Sequence, residues 1–358
     1  MPPPNNLASI DTIDLSAYHM VIDARSEREY IEDHLPGAVN LPVVNNAEYA
    51  EVGTRHRTDT HQAYLIGVAY ALKNIAAHLP TVAATVPRGG RVLVYCFRGG
   101  KRSRLWCDAL ETIGFRVDRL RGGWKAYRHW VNAQLPRWSV RFNYYVLCGP
   151  TGCGKTRLLG ALKEQGAQVL DLEALAHHHG SLIGAIPDSP QRSQKWFDSS
   201  LLQQLMQFDP AKPVWTEAES KKIGAVQLPL ALFESMHAGR ICSVTAPMPE
   251  RVRLWREDYR HFEEDPPWLM ERLRPLRELV GAAEFAEWEA LANTRQMPLL
   301  FQRLMEKHYD PAYGRSIAKH YPNLSAGQQL SLSALDAATL STVANQLIVD
   351  HESIEVSA

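Results

Sequence analysis

No stretch of the chain comes near the roughly 18 uninterrupted apolar residues of a membrane span, so no transmembrane helix is predicted. Cysteine is scarce. There are five, at positions 96, 107, 148, 153 and 242, with no CxxC pair and no zinc-ligand spacing. That excludes a disulfide scaffold, predicts no bound metal of that kind, and makes reduced thiols in a cytoplasmic protein the economical reading. Met1-Pro2-Pro3-Pro4-Asn5-Asn6 supplies neither a basic nor an apolar segment, so no secretory signal is expected. An excess of one charge is missing too: 39 Lys and Arg balance 39 Asp and Glu. On its face this argues against a nucleic-acid partner. Internal repeats and low-complexity tracts are absent. The remainder, 45% hydrophobic and 22% charged over 358 residues, describes an ordinary globular chain with room for two or three domains.

The local charge tells a different story. Between Cys96 and Arg141 eleven Lys and Arg stand against three acids, interleaved with Trp106, Trp124, Tyr127, Trp130 and Trp138. Cations among aromatics suit phosphate contacts and base stacking, with Arg116, Arg119, Arg121, Lys125 and Arg128 as candidate nucleic-acid contacts. A solvated basic face accounts for the charge equally well. The segment opens on Tyr95-Cys96-Phe97-Arg98-Gly99-Gly100-Lys101-Arg102-Ser103. An apolar β-branched run over 92–95 predicts a buried strand, and a helix is expected from 103. Strand, cysteine, glycine turn and helix together aim backbone N–H groups and a helix N-terminus at the sulfur. Those dipoles and the cations favour thiolate, so a lowered cysteine pKa is expected. A purely structural cysteine is disfavoured among three cations.

Alternating short strands and helices over 1–135 imply a parallel sheet, with Cys96 at a strand's carboxyl end, where open α/β sheets bind ligands. A helix is predicted over 63–78 from the period of Leu65, Val68, Ala69, Leu72 and Ile75. A proline-containing link, Gln134-Leu135-Pro136-Arg137, should open a second unit over 136–250. There a predicted strand, 144–147, runs into Gly149-Pro150-Thr151-Gly152-Cys153-Gly154-Lys155-Thr156. This GxxxxGK[ST] loop lets amides close on phosphate oxygens, puts Lys155 on the terminal phosphates and places Thr156 for Mg²⁺. Cys148 and Cys153 read as packing residues. Asp171, Glu217 and Glu219 are candidate acids for the Mg²⁺ side, although charged strand exits explain each as well. The triplet His177-His178-His179 is not read as a metal site, since adjacent helical histidines point apart. From 251 to 358 the pattern is helical, rich in paired charge, broken at Tyr309-Asp310-Pro311-Ala312-Tyr313 and ending in a helix over 331–348.

Asp23-x-Arg25, His34-x-Pro36-Gly37-Ala38-x-Asn40, the cysteine loop and Gly122-Gly123-Trp124 resemble a rhodanese domain in order and spacing. One departure stands out. Arg102 lies six residues after Cys96, one more than the common rhodanese loop, as in the cell-cycle dual-specificity phosphatases of that fold. The wider loop should admit phosphate or selenophosphate. A rhodanese-like parallel-sheet domain followed by a P-loop NTPase-like α/β domain with a helical C-terminal part resembles the tRNA 2-selenouridine synthase family. Supporting strings are Asp171-Leu172-Glu173, His179-Gly180-Ser181, and Glu217-Ala218-Glu219-Ser220 with Ile223-Gly224. Phe97 stands where that family more often has Trp.

The resemblance implies a tRNA substrate carrying 2-thiouridine at the wobble position of the anticodon. Geranyl diphosphate would first alkylate the sulfur, and selenium from selenophosphate would then replace the alkylthio group. Lys155, Thr156 and the loop amides would hold the diphosphate, with Mg²⁺ as a candidate ion. Cys96, with the loop from Arg98 to Ser103, would serve the selenium step, and a protein supplying selenophosphate is a candidate partner. Leu158, Leu159, Leu162, Leu182, Ile183, Ile186 and Trp215 could line a prenyl groove, and core packing explains them equally well. Two other classes stay open: a cysteine phosphatase or P-loop kinase of a small substrate, and an idle rhodanese fold that only binds tRNA.

Overall fold

The computed structural model describes residues 6–187, 189–321 and 327–355. The chain divides into two compact units, one of residues 1–135 and 192–203, the other of 136–191 and 204–358. No sequence pattern foretells that residues 192–203 join the first unit. Among the described residues no helix is long and apolar enough to cross a membrane.

The first unit is built on five parallel strands: β1 (Asn6–Ala8), β2 (Met20–Asp23), β3 (Ala38–Asn40), β4 (Arg91–Tyr95) and β5 (Arg116–Leu120). Their order is β1-β5-β4-β2-β3. β4 is central and pairs on both sides, Val94 with Ile22 and with Arg119. Val92, Leu93, Val94 and Tyr95 are all fully buried, which is why β4 reads as a continuous apolar run. Cys96 follows it directly. Asn45 starts the helix Asn46–Thr58 with a reciprocal capping box to Glu48, 2.9 Å each way.

The helix foreseen over 63–78 runs Thr60–Thr85, through Pro80. It buries Ala63, Ala71, Ile75 and Val82, whereas Leu65, Val68 and Leu72 are exposed. Its period was legible, but the face it buries was not, because the small residues pack inward. The expected link at Gln134–Arg137 is no break. The helix Gly123–Ser139 continues through Pro136.

The second unit has a parallel sheet of β6 (Tyr144–Cys148), β7 (Gln168–Leu170), β8 (Val214–Glu217), β11 (Arg240–Thr245) and β12 (Gln328–Ser331) in the order β12-β11-β6-β8-β7. A small hairpin, β9 (Lys222–Ile223) and β10 (Val226–Gln227), lies apart from it. The segment 251–358 forms no domain of its own. It supplies the edge strand β12, and its last helix, Ala337–Glu355, packs on the P-loop helix Lys155–Glu164. Leu158, Leu162, Leu340, Ala344 and Leu347 share that core. A second core, around Trp255, Trp288 and Phe301, holds the other C-terminal helices together. The break expected at Tyr309–Tyr313 is also absent. A π-turn over Met305–Tyr309 feeds straight into the helix Asp310–His320, so Pro311 sits within continuous helical backbone just after the π-turn.

Candidate active sites

In the first unit the loop after β4 wraps the sulfur. The Gly100 N–H reaches Cys96 Sγ at 3.3 Å, and Ser103 Oγ lies 3.3 Å from the same atom while donating to the Gly100 carbonyl at 3.1 Å. The helix Lys101–Thr112 starts at this point. The Gly122-Gly123 pair is required by close approach. Gly123 has φ +58°, and a Cβ there would sit 2.1 Å from the Cys96 carbonyl oxygen. The next N–H groups clamp the loop, Trp124 to the Cys96 carbonyl and Lys125 to that of Phe97, both at 2.9 Å.

Asp23 and Arg25 form a fully buried pair at 2.6 Å under this loop. Arg25 also donates to the Asp33 carbonyl, and the Tyr95 hydroxyl donates to Asp23 at 2.7 Å. Asn40 donates to the carbonyls of Asp23 and Arg25. These motif residues are scaffold.

Of the loop cations, Arg98 is exposed with its guanidinium 5.7 Å from the Phe97 ring centre. Lys101 lies over Tyr64 at 3.6 Å. Arg102 forms a two-pronged pair with Glu29, at 2.6 and 3.2 Å. Burial opposes the charge on both. The pair itself still holds Glu29 below and Arg102 above their ordinary values, with Cys96 adding to the latter. Arg102 is therefore held in place within electrostatic reach of the sulfur. The other four cysteines are ordinary buried thiols. Burial pushes Cys107 and Cys148 up to about 12 and Cys242 up to about 11, and it raises Cys153 as well.

In the second unit the P-loop follows the central strand β6. Lys155 Nζ donates to the Gly149 carbonyl at 3.0 Å and lies 3.4 Å from that of Pro150. The Gly149 N–H donates to the Tyr313 hydroxyl. Arg251, buried, donates to the Thr151 carbonyl at 2.8 Å and forms a two-pronged pair with Asp310 at 2.9 and 2.6 Å. Thus the helices after residue 247 brace the loop. The adjoining cavity, about 140 Å³, is lined by Lys155, Thr156, Glu173, His179, Ser181 and Glu217 together with Leu254, Trp255 and Tyr259.

Carboxylates converge beside Lys155. A Cβ on Gly180 would lie 2.7 Å from Glu173 Oε1 and 3.4 Å from Glu219 Oε2. His179 Nδ1 is 3.5 Å from Glu173 Oε2, and that contact raises the histidine's pKa. Burial, with Glu173 adding, pushes Glu217 up to about 7. Burial and the neighbouring Glu173 and Glu217 also raise Glu219 well above its ordinary value. Burial works against the Lys155 ammonium, yet Cys153, Glu217, Glu173 and Glu219 together hold it above its usual value.

The strings Asp171–Glu173, His179–Ser181 and Glu217–Ser220 thus meet at the phosphate loop, far apart in sequence but together in space. Residues 10–129 match the family model of the rhodanese-like domain, and residues 142–265 match that of the tRNA 2-selenouridine synthase AAA domain. The tRNA 2-selenouridine synthase of Chromohalobacter salexigens is 32% identical over 322 residues, 82% of this chain and 86% of that one. That of Cronobacter sakazakii is 31% identical over 334 residues, 84% and 87%. The chain belongs to the tRNA 2-selenouridine synthase family. The Nitrosomonas europaea relative is 35% identical over 244 residues, and the match spans 67% of this chain but only 63% of that protein's length.

Within this tRNA 2-selenouridine synthase family member, several sites foreseen from sequence change role. Asp171 caps the helix Leu172–Ala176, accepting the Ala174 N–H at 2.9 Å. Arg128 is no surface cation: it is buried, paired with Asp198 at 2.8 Å and bonded to Ser199 and the Lys195 carbonyl. Arg116 opens β5, whereas Cys96 follows the end of its neighbour β4, so the two lie at opposite edges of the sheet, roughly 16 Å apart at the rise of a strand. Arg119 is half-buried on β5, and of these five cations Arg121 and Lys125 are exposed at the Cys96 edge. Leu158, Leu159, Leu162 and Trp215 belong to the sheet core and Ile183 to the helical core. Leu182 is exposed and Ile186 half-buried, and none of the seven lines the phosphate cavity.

Glu173, His179 and Ser181 line the site without having been foreseen as site residues, although the strings containing them were noted. Leu254, Trp255, Tyr259 and Arg251 were not foreseen either, and no local spacing marks them.

Proposed function

We propose that this chain converts wobble 2-thiouridine of tRNA to 2-selenouridine by two transfers, one in each unit. In the first, the thio sulfur attacks C1 of geranyl diphosphate. The C–O bond breaks, diphosphate departs, and the N3 proton of the base passes to Glu219, whose raised pKa suits an acceptor. In the second, selenium of selenophosphate attacks C2 of the base, geranylthiol leaves, and water cleaves the Se–P bond to release phosphate. Alkylation matters because it turns a poor leaving group into a thiol.

The observation that carries this reading is the pair of separate anion loops, each at the carboxyl end of a central parallel strand. One presents a sulfur. The other has a lysine, a hydroxyl and an apolar wall of Leu254, Trp255 and Tyr259 beside it. Backbone amides and Lys155 recognise phosphates without reading a base.

Mg²⁺ fits the donors present. Glu217 Oε1 is buried with no hydrogen-bond partner among the described residues, and Thr156 exposes its hydroxyl on the same cavity. This ion characteristically takes one or two carboxylates together with substrate phosphate oxygens. Thr156 and Glu217 would hold it, and it would neutralise charge on the departing diphosphate.

The test is turnover of 2-thiouridine tRNA with geranyl diphosphate and Mg²⁺, ATP and GTP absent, then addition of selenophosphate and mass analysis of the wobble base. S-Geranyl-2-thiouridine followed by 2-selenouridine is expected. A strict nucleotide requirement would return the loop to nucleotide hydrolysis, and phosphate ester turnover without tRNA would favour the phosphatase or kinase alternative.

A further inference from the structure

The first unit contains a second concavity that the chemistry above does not use. Its volume is about 300 Å³, at the lower end of the roughly 300–1,000 Å³ of small-molecule pockets. It is enclosed by the helices Asn46–Thr58 and Thr60–Thr85 and by the start of the helix Lys101–Thr112. Its lining is mostly aliphatic: Val44, Ala63, Ala71 and Leu105, with Val52 and the half-exposed Val68 on its walls. The space exists because small residues face it. Gly53 and Gly67 line it from the two helices, and a Cβ on Gly67 would come no closer than 3.6 Å to Val52. Glycine inside a helix lowers its stability, so the gap is maintained at a cost that packing does not recover.

The mouth has a different chemistry. Tyr49 and Tyr64 are 47% and 46% exposed, and His56 meets Tyr64 edge-on at 5.8 Å. Lys101 lies over Tyr64, and the Arg102 guanidinium is 5.6 Å from the Tyr49 ring. Half-exposed aromatic faces bearing cations are the means by which proteins hold an unstacked base and its phosphate.

The position ties this cavity to the sulfur. Gly100 and Ser103 contact Cys96 Sγ, and the two residues between them, Lys101 and Arg102, line the cavity. Resting on the two-transfer reading, the substrate of the selenium step is a base whose leaving sulfur carries a branched, wholly apolar chain. That chain must be held beside the selenium donor and kept from water. The phosphate cavity of the other unit, at about 140 Å³, is smaller, and its apolar wall is shared with Lys155, Glu173 and Glu217.

We propose that this aliphatic cavity binds the isoprenoid chain of the S-prenylated wobble base, placing its C2–S bond at the Cys96 loop. The tyrosines at the mouth take the base, and Lys101 takes the adjoining phosphate. It is then a specificity site, admitting prenylated tRNA to the selenium step and passing over 2-thiouridine, which cannot fill it.

The experiment compares binding of the full chain to an anticodon stem-loop carrying S-geranyl-2-thiouridine and to the same RNA with 2-thiouridine, at one salt concentration. A preference of about tenfold or more for the geranylated RNA is expected from apolar burial of this extent. Val68→Trp, on the half-exposed wall, should fill the cavity and erase most of that ratio, and Val52→Phe is the second filling variant. An equal affinity of the native chain for both RNAs overturns the proposal. So does a ratio that survives in a folded Val68→Trp protein.

A diazirine on the geranyl chain gives a readout needing no variant. Cross-links on peptides spanning 43–71 support the site, and cross-links confined to 149–156 and 251–259 overturn it. A clear preference for geranylated RNA in a protein that makes none from geranyl diphosphate would retire the two-transfer reading and leave the cavity standing.

Discussion

Cys96 and Glu217 show how far one side chain can be argued. Cys96 alone among the cysteines has an amide, a hydroxyl and a cationic helix start around its sulfur, while the other four are held as neutral thiols by burial. Cys96→Ala should abolish 2-selenouridine and leave S-geranyl-2-thiouridine to accumulate, read by mass analysis of the wobble base. Equal loss of both products in a folded variant would end the division of labour. Lys155→Ala should do the reverse, slowing prenyl transfer by ~10²–10³ because the leaving diphosphate is no longer stabilised by the ammonium.

Glu217 carries a pH signature. Its carboxyl is raised from an ordinary 4.5 to about 7, so the folded state binds its proton more tightly than the unfolded chain does. That contribution is fully present below about 4.5 and is lost as pH rises through about 7. Glu217→Gln, which mimics the protonated form, should therefore raise stability at pH 8 by roughly 3 kcal/mol in the absence of ligand, with the gain nearly gone at pH 4.5. Urea unfolding of both proteins at the two pH values measures it, and a pH-independent difference would refute the assignment.

Contiguous motifs made Cys96 and Lys155 legible, because strand, glycine turn and helix start are adjacent in sequence. Arg128 misled for the opposite reason. Charge pattern does not report burial, and its partners Asp198 and Ser199 lie about seventy residues on.

Among the elements, the short buried strands β4 and β6 were legible from their apolar runs, and so was the P-loop helix. Two prolines were over-read as breaks: Pro136 and Pro311 both sit within helical segments. β12 was hidden, since Gln328-Gln329-Leu330-Ser331 is polar at an edge and gains its place only by pairing with β11. The bracing of the P-loop by Arg251 and Tyr313 depends on residues about 100 and 164 positions distant in sequence, which no window could show. The turn Gly122-Gly123 gives the element-scale prediction. Gly123→Ala must relieve both a left-handed φ and a Cβ pressed against the Cys96 carbonyl. The left-handed strain alone is of order 1–3 kcal/mol, and the close approach adds to it. The variant should lose selenium transfer and melt earlier in the first unit while still geranylating tRNA. An unaltered rate of selenium transfer would show that this clamp does not shape the sulfur's surroundings.

At the scale of the whole molecule, zero net charge means that RNA attraction must come from local cations, and burial decides which ones count. Arg253, Arg256 and Arg260 are already paired with Glu250, Glu257, Glu263 and Glu264. Arg116 lies at the sheet edge away from Cys96, and Arg128 is inside. Arg121 and Lys125 are exposed on the turn that clamps the sulfur loop, and Arg98 and Lys101 are exposed on that loop itself. Binding of tRNA should fall with salt, and Arg121→Ala with Lys125→Ala should flatten the log-affinity versus log-salt slope by ~0.7–0.9 for each phosphate no longer neutralised. Arg116→Ala should leave the slope alone. Arg128→Ala should act on folding instead. Removing it takes the counter-charge from Asp198 and the fully buried Asp33, which keep only neutral donors, Gln194 and Trp124, at a cost of up to about 3–5 kcal/mol typical of a broken buried pair, seen as a lower midpoint in urea with little change in salt slope for the folded fraction. A slope unchanged in the Arg121 and Lys125 double variant, or reduced by Arg116→Ala alone, would move the RNA track off the carboxyl edge of the first sheet.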